Sequence, residues 1–279
     1  MMVPEWFYKR MIDAIEQKKL RERFNPEGSL LRQYQLKMLE MLKYIDEVCR
    51  KYQIRYWLCS GTLLGAVRHG GFIPWDDDVD IEMLRDDYKK FIHAMENEPQ
   101  INYALQTHCT DRAYLAPYAK LRDLHSLIKE NNTNDLYYKY KGCYIDVFIM
   151  ESSSSLVLNR ASNFLQNSLL FYPNACIKNK FCREIYLNAM FWILNKLVFP
   201  SFRLFSKIGA KGQLRHTFGS CFTKKRDKDD IFPLTNLKFE DCSFPVPGNY
   251  DAYLKKIYGS YMNLPDLDKI VMHTVEVEL

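Results

Sequence analysis

Four aspartates, at positions 76, 77, 78 and 80, stand between Pro74-Trp75 and the apolar Val79 and Ile81 in the stretch SGTLLGAVRHGGFIPWDDDVDIE, residues 60–82. Adjacent carboxylates repel one another, so such a run costs stability unless something cationic sits among them. Asp78-Val79-Asp80-Ile81 alternates polar and apolar residues as a half-buried strand does, which puts Asp78 and Asp80 on one side. An extended chain beginning at Trp75 adds Asp76 to them and turns Asp77 away. Two or three carboxylates at a strand end make a hard, oxygen-only donor set, suited to Mg²⁺ or Mn²⁺ rather than zinc. A further acid, Asp146, lies inside the apolar run Tyr144-Ile145-Asp146-Val147-Phe148. Burying an unpaired carboxylate is costly, so a cation or donors are expected beside it. Carboxylates from two adjacent strands can hold divalent metal that binds a nucleotide's phosphates, the arrangement of phosphoryl and nucleotidyl transfer. Ser60-Gly61-Thr62, at the opening of a short helix, offers backbone N–H groups and hydroxyls to a phosphate.

The elements that must carry these residues follow from hydrophobic period. Leu31, Gln35, Met38, Leu42, Ile45 and Val48 recur at spacings of three and four, predicting an amphipathic helix over 30–50 capped by Ser29. Residues 54–59, β-branched and aromatic, read as a strand. Thr62 to Arg68 can wind as a short helix ended by Gly70-Gly71, with Pro74 setting the path to the aspartates. Asp86-Asp87 open a helix through Met95, acids first as the helix dipole prefers. Strands are expected within 101–108, 113–121 and 143–149, and the run Ser152 to Ser155 reads as a linker. Strand, helix, strand, helix and further strands in that order imply an α/β (α+β) fold, a mixed sheet core flanked by helices. The expected divisions are a catalytic core at 1–151, a helical basic insertion at 152–235, and a C-terminal segment, 236–279, packing back on the core.

With 47% apolar and 14% aromatic residues, the chain can bury an ample core and is not of disordered composition. Its eight cysteines are scattered with no Cys-x-x-Cys pair, which argues against zinc and against a disulfide framework. The opening MMVPEWFYKRMIDAIEQKK has no uninterrupted apolar stretch and nowhere are there about 18 consecutive apolar residues, so neither a signal peptide nor a membrane span is expected. A cytoplasmic protein is the resulting expectation. The net charge of +5 is uneven, for Lys178 to Lys228 holds twelve Lys or Arg against two acids, and this basic region implies an anionic partner. Residues 185–205, apolar and aromatic but broken by Asn188, Asn195, Lys196, Pro200 and Arg203, read either as a core helix of a smaller lobe with a solvated basic surface or as an interfacial helix, a peripheral contact with the inner face of the plasma membrane. No nucleic-acid-binding motif accompanies the charge, so no nucleic acid is expected.

GTLLGAVRHGGFIPWDDDVDI resembles the signature of the LicD family, relatives of the fukutin-type phosphotransferases in the nucleotidyltransferase-fold superfamily. KLRD at 120–123, YIDVF at 144–148 and FPVPGNYDAYLKKIYGSYMNLP at 244–265 extend the resemblance. It implies a nucleotidyltransferase-like core and a metal-dependent transfer of a phospho-alcohol, typically phosphocholine from CDP-choline, onto a sugar hydroxyl of a cell-surface glycan or lipid-linked oligosaccharide. In this resemblance Ser60-Gly61 takes the place of the superfamily's Gly-Ser turn in reversed order, Asp78 and Asp80 that of its alternating acids, and Asp146 that of its third acid. The metal would lie on Asp78, Asp80 and Asp146 with Asp76 as an additional member, and Asp146 would accept the proton of the attacking hydroxyl. Arg68, Lys120 and Arg122 would steady phosphate oxygens, and Trp75 would stack on a base or choline or else pack in the core. His69 and His125 are candidate bases or metal neighbours. The rival readings are a metal-dependent glycosyltransferase, which also uses Asp-x-Asp, and a non-catalytic membrane-associated scaffold.

Overall fold

A computed structural model describes residues 13–98, 101–130, 137–270 and 274–279. Helix α1 (Ala14–Phe24) leads into α2 (Leu30–Lys51), whose N-terminus is capped by the Ser29 hydroxyl accepting from the Arg32 N–H at 3.3 Å. The expected face of α2 is the buried one, with Gln35, Met38, Leu42, Ile45 and Val48 all inside. The strand expected at 54–59 shortens to β1 (Trp57–Leu58), and α3 (Ser60–His69) begins two residues before Thr62 and ends at Gly70 in the left-handed conformation that a glycine adopts without strain.

The main sheet is then built from β2 (Asp80–Leu84), β3 (Tyr103–Gln106), β4 (Ala119–Asp123) and β6 (Tyr144–Ser152), with α4 (Arg85–Asn97) between β2 and β3. A short strand, β5 (Leu127–Glu130), leaves this sheet to pair with β11 (Thr274–Glu278). The strand order is β1-β2-β6-β4-β3, with β2 and β6 parallel and the other neighbours antiparallel. One face of this mixed sheet is apolar: Ile81, Met83, Leu121, Ile145 and Val147 are fully buried, and α2 and α4 pack on β6. The other face carries the polar residues of the same strands, Asp80, Glu82, Lys120, Arg122 and Asp146, a division that follows from the alternation of side chains along a strand.

The helical region expected beyond β6 is continuously helical in character only as far as Lys207. Leu156–Gln166 (α5), a π-helical turn at Asn167–Phe171 and Tyr172–Cys176 (α6) form one helical segment, and Lys180–Ile193 (α7), a second π turn at Leu194–Val198 and Phe199–Lys207 (α8) form another. These segments share a smaller apolar cluster around Leu170, Leu187, Leu194 and Phe199. The rest of the expected helical region departs from expectation: β7 (Gln213–His216) pairs with the far end of β6, and β8 (Arg226–Asp227) with β7, so the main sheet has seven strands. The four-serine run is not a linker. Ser152 ends β6, the buried Ser153 hydroxyl donates to Asn159 Oδ1 at 2.8 Å and meets Ser206 Oγ at 2.5 Å, and Ser155 caps α5. Short hydroxyls bonded across elements act here as a clamp between sheet and helices. After a short helix, α9 (Lys228–Ile231), the hairpin of β9 (Thr235–Phe239) and β10 (Cys242–Val246) packs on α3 and β1, and α10 (Tyr250–Tyr258) packs on α3.

Candidate active site: acids and a lysine across three strands

The pairing register decides the site. Asp80 of β2 lies opposite Asp146 of β6, and Asp146 lies opposite Lys120 of β4. Residues opposite one another on neighbouring strands project to the same face, so the three side chains form a row across the sheet. The Lys120 ammonium stands 3.3 Å from Asp146 Oδ1 and 3.2 Å from the centre of the Tyr144 ring, supplying the cation that a buried Asp146 requires.

The approach to this row is held by backbone contacts. The Asp80 N–H donates to Thr62 Oγ1 at 2.8 Å, the Cys59 N–H to the Asp80 carbonyl at 3.1 Å and the Asp146 N–H to the Val79 carbonyl at 2.9 Å. Thr62 thus fixes the strand start from the first turn of α3. The strand begins at Asp80, two residues later than the polar–apolar alternation suggests, so Asp76 and Asp78 come from the preceding turn and not from a strand face. The buried Gln35 amide donates to the carbonyls of Ile73, at 3.3 Å, and Asp76, at 2.9 Å, tying that turn to α2. From the other side, the Glu240 carboxylate accepts from the Phe72 N–H at 3.1 Å and pairs with Arg32 at 2.7 Å. A methyl group on Gly61 would meet Asp76 Oδ2 at 2.8 Å, so the glycine makes room for that carboxylate against the start of α3.

The electrostatics show how close the acids are. Burial pushes the Asp80 carboxyl well above the ordinary carboxylate range, and Asp78, Asp146 and Asp76 push it further, with Lys120 opposing. Burial likewise raises Asp76, reinforced by Asp78 and Asp77 and by a hydrogen bond with Asp78. Four of the five acids, 76, 78, 80 and 146, are therefore electrostatically one group. Among the described residues no three carboxylate, imidazole or thiol groups close around a single point as they stand. In kind, the all-oxygen donor set fits a hard dication, and Mg²⁺ ordinarily takes only one or two protein carboxylates and completes its shell with waters and substrate phosphates.

The other expected site residues divide sharply. Ser60, Gly61 and Thr62 lie at the α3 N-terminus beside the acids, Ser60 with a positive φ of 48°. Arg68 is buried and its Nη1 donates to the carbonyls of Tyr261 and Asn263 at 3.0 and 3.1 Å. Arg122 donates to Gln106 Oε1 at 2.8 Å and the Gly142 carbonyl at 2.9 Å. Both guanidiniums thus satisfy buried protein carbonyls, which a sequence does not reveal. Trp75 makes edge contacts with Phe24 and His69, ring centres 5.2 and 5.9 Å apart, which is core packing. His69 is held neutral, its pKa lowered to about 3 by burial and by Arg68 and Arg21, while His125 pairs with Asn102.

Three residues escaped the sequence reading. Tyr118 and Tyr258 both have hydroxyls raised by burial first and then by the acids, Tyr118 by Asp146 and Asp80 and Tyr258 by Asp80, Asp76 and Asp78. Tyr258 arrives from the end of α10, far along the chain, and no spacing signals it. Glu82, fully buried two residues beyond Asp80, accepts from Trp57 Nε1 at 2.8 Å and Tyr253 Oη at 2.7 Å, and His216 Nε2 lies 3.0 Å from it. Burial alone would raise its pKa, but His216, Arg226 and Tyr253 bring it down to about 2. It joins β1, β2, β7 and α10 beneath the acids.

Residues 53–170, which include every acid of the row and Lys120, match the LicD/FKTN/FKRP nucleotidyltransferase domain. These residues form a LicD-type domain. The chain is 29% identical over 263 residues to the lipopolysaccharide cholinephosphotransferase LicD of Haemophilus influenzae, covering 88% of the chain and 96% of that protein. An uncharacterised Rickettsia prowazekii protein is 39% identical over 97 residues, 35% of each chain. The ribitol 5-phosphate transferase FKRP of Homo sapiens is 48% identical over 48 residues, 17% of this chain and 10% of FKRP. Among the described residues no helix is long and apolar enough to cross a membrane.

Proposed function

We propose that the protein is a metal-dependent phosphotransferase of the cytoplasm that moves a phospho-alcohol, phosphocholine from CDP-choline in the first instance, onto a sugar hydroxyl of a cell-surface glycan or its lipid-linked precursor. The observation that carries this reading is the row Asp80–Asp146–Lys120 with Asp76 and Asp78 at its edge. The names of the relatives, a cholinephosphotransferase and a ribitol 5-phosphate transferase, support the same class of reaction.

Asp78, Asp80 and Asp146 would hold Mg²⁺ or Mn²⁺, which when bound neutralises the donor's pyrophosphate and stabilises the entering and leaving oxygens. Asp76, hydrogen-bonded to Asp78, holds its neighbour in place. Asp146 accepts the proton of the acceptor hydroxyl as its oxygen bonds the phosphorus that bears the alcohol. The bond from that phosphorus to the bridging oxygen breaks, and CMP departs with the bonding pair. Lys120 counters charge on Asp146 and on the phosphate oxygens beside it, and the α3 N-terminus at Ser60-Gly61-Thr62 offers N–H groups to the leaving phosphate.

Incubating the protein with Mg²⁺ and CDP-choline, CDP-ribitol, CDP-glycerol or a UDP-sugar, and following the released nucleotide, tests the reading. CMP release with a CDP-alcohol, lost in Asp80→Asn and Asp146→Asn, is expected. Turnover of UDP-sugars alone, or CMP release indifferent to both substitutions, would refute it.

A further inference from the structure

The helical segment α7, π turn and α8 runs without a break from Lys180 to Lys207, about 40 Å at 1.5 Å per residue. One side is buried: Leu187, Leu194 and Phe199 enter the small apolar cluster, and Ser206 bonds Ser153. The five-residue step from Leu194 to Phe199 spans the π turn, whose wider winding keeps the two halves of the buried side in line.

The opposite side should then be polar, as on an ordinary amphipathic helix at a protein surface. It is apolar instead. Phe181, Ile185, Leu197, Leu204, Phe205 and, just past the helix, Ile208 are 55–74% exposed. Trp192 shares this side, with the Lys196 ammonium 5.2 Å from its ring centre. From Lys180 to Lys207 the segment has five Lys or Arg and a single acid, Glu184. Arg203 is committed to Glu151 at 2.8 Å, Arg183 to the Tyr137 ring and Lys180 to Glu184 at 4.0 Å, which leaves Lys196 and Lys207 to edge the exposed stripe.

We propose that this outer face binds an anionic lipid surface, with the helix lying in the plane of the membrane, its aromatic and aliphatic side chains at the acyl boundary and Lys196 and Lys207 among the headgroups. Charge decides for lipid over a second copy of the chain, since two such stripes face to face would set lysine against lysine. The exposed area is apolar enough to enter the interface, and basic enough to prefer a negative one.

Flotation of the full chain with phosphatidylcholine vesicles, with and without phosphatidylglycerol, is the test. Salt-sensitive binding to the anionic vesicles is expected. It should fall about tenfold or more both in the triple variant Leu197→Gln, Leu204→Gln, Ile208→Gln and in Lys196→Glu with Lys207→Glu, with thermal unfolding unchanged. Absence of binding to anionic vesicles at low salt, or binding that both variants retain, would overturn the proposal. So would a dimer in sedimentation equilibrium that the triple variant dissociates, for the face would then be covered by a second copy.

Discussion

Asp80→Asn should make the protein more stable in the absence of divalent metal. Asp80 is buried at 8% exposure and lies opposite Asp146, about 5 Å away at the usual strand spacing. At an effective dielectric of about 20, unit charges at that distance repel by about 3 kcal/mol. Lys120, one strand further away, offsets only part of this, so burial and the repulsion from the neighbouring acids leave a net cost on the order of 1–3 kcal/mol. The sign follows from the raised carboxyl: the folded state holds the proton more tightly than the unfolded one, so the cost is fully present above the folded pKa and gone below the unfolded value of about 3.9. Thermal unfolding in EDTA should therefore show Asp80→Asn melting about 2–8 °C above the parent near pH 7.5, the gap closing toward pH 4. Mg²⁺ should raise the parent's melting temperature and leave the variant's almost unmoved, because the metal relieves the same repulsion. A variant less stable than the parent at neutral pH, or a difference that does not change with pH, would refute this account of the acids.

Other consequences test the frame around the site. Glu82→Gln should destabilise by about 3–5 kcal/mol at pH 7, since it leaves the buried Arg226 and His216 without their carboxylate; denaturant titration reads this. In the parent, the stability that Glu82 contributes is present above about pH 4.3 and should be lost as pH falls toward 2, which acid titration of the fold reads as the difference between the parent and Glu82→Gln. Gly142→Ala should cost about 3 kcal/mol or more, because the new methyl would fall 1.9 Å from the Asp123 carbonyl oxygen, a backbone atom with nowhere to go. Tyr258→Phe should lower turnover severalfold with little change in melting temperature, its side chain being 44% exposed and its hydroxyl within electrostatic reach of the acids; full activity would remove it from the site.

Much was legible in the chain because it depends on neighbours in sequence. The face of α2, the Ser29 cap, the termination of α3 at Gly70 and the acid-first opening of α4 are local matters of period and capping. The acids at 76, 78, 80 and 146 stood out since no solvated loop or apolar core explains them. Other positions could not be read without their distant partners. Ser152 to Ser155 has the composition of a linker, yet Asn159 and Ser206 turn it into a clamp. The guanidiniums of Arg68 and Arg122 look available for phosphate until carbonyls of 261, 263 and 142 claim them.

The sequence by itself therefore determined which residues carry charge into apolar surroundings, and with that the kind of chemistry the chain can support. Only tertiary structure decided which of them meet. Alternation places side chains on a face of one strand, whereas the register between strands, set by long-range pairing and burial, put Asp80, Asp146 and Lys120 in one row and brought Tyr258 from the far end of the chain.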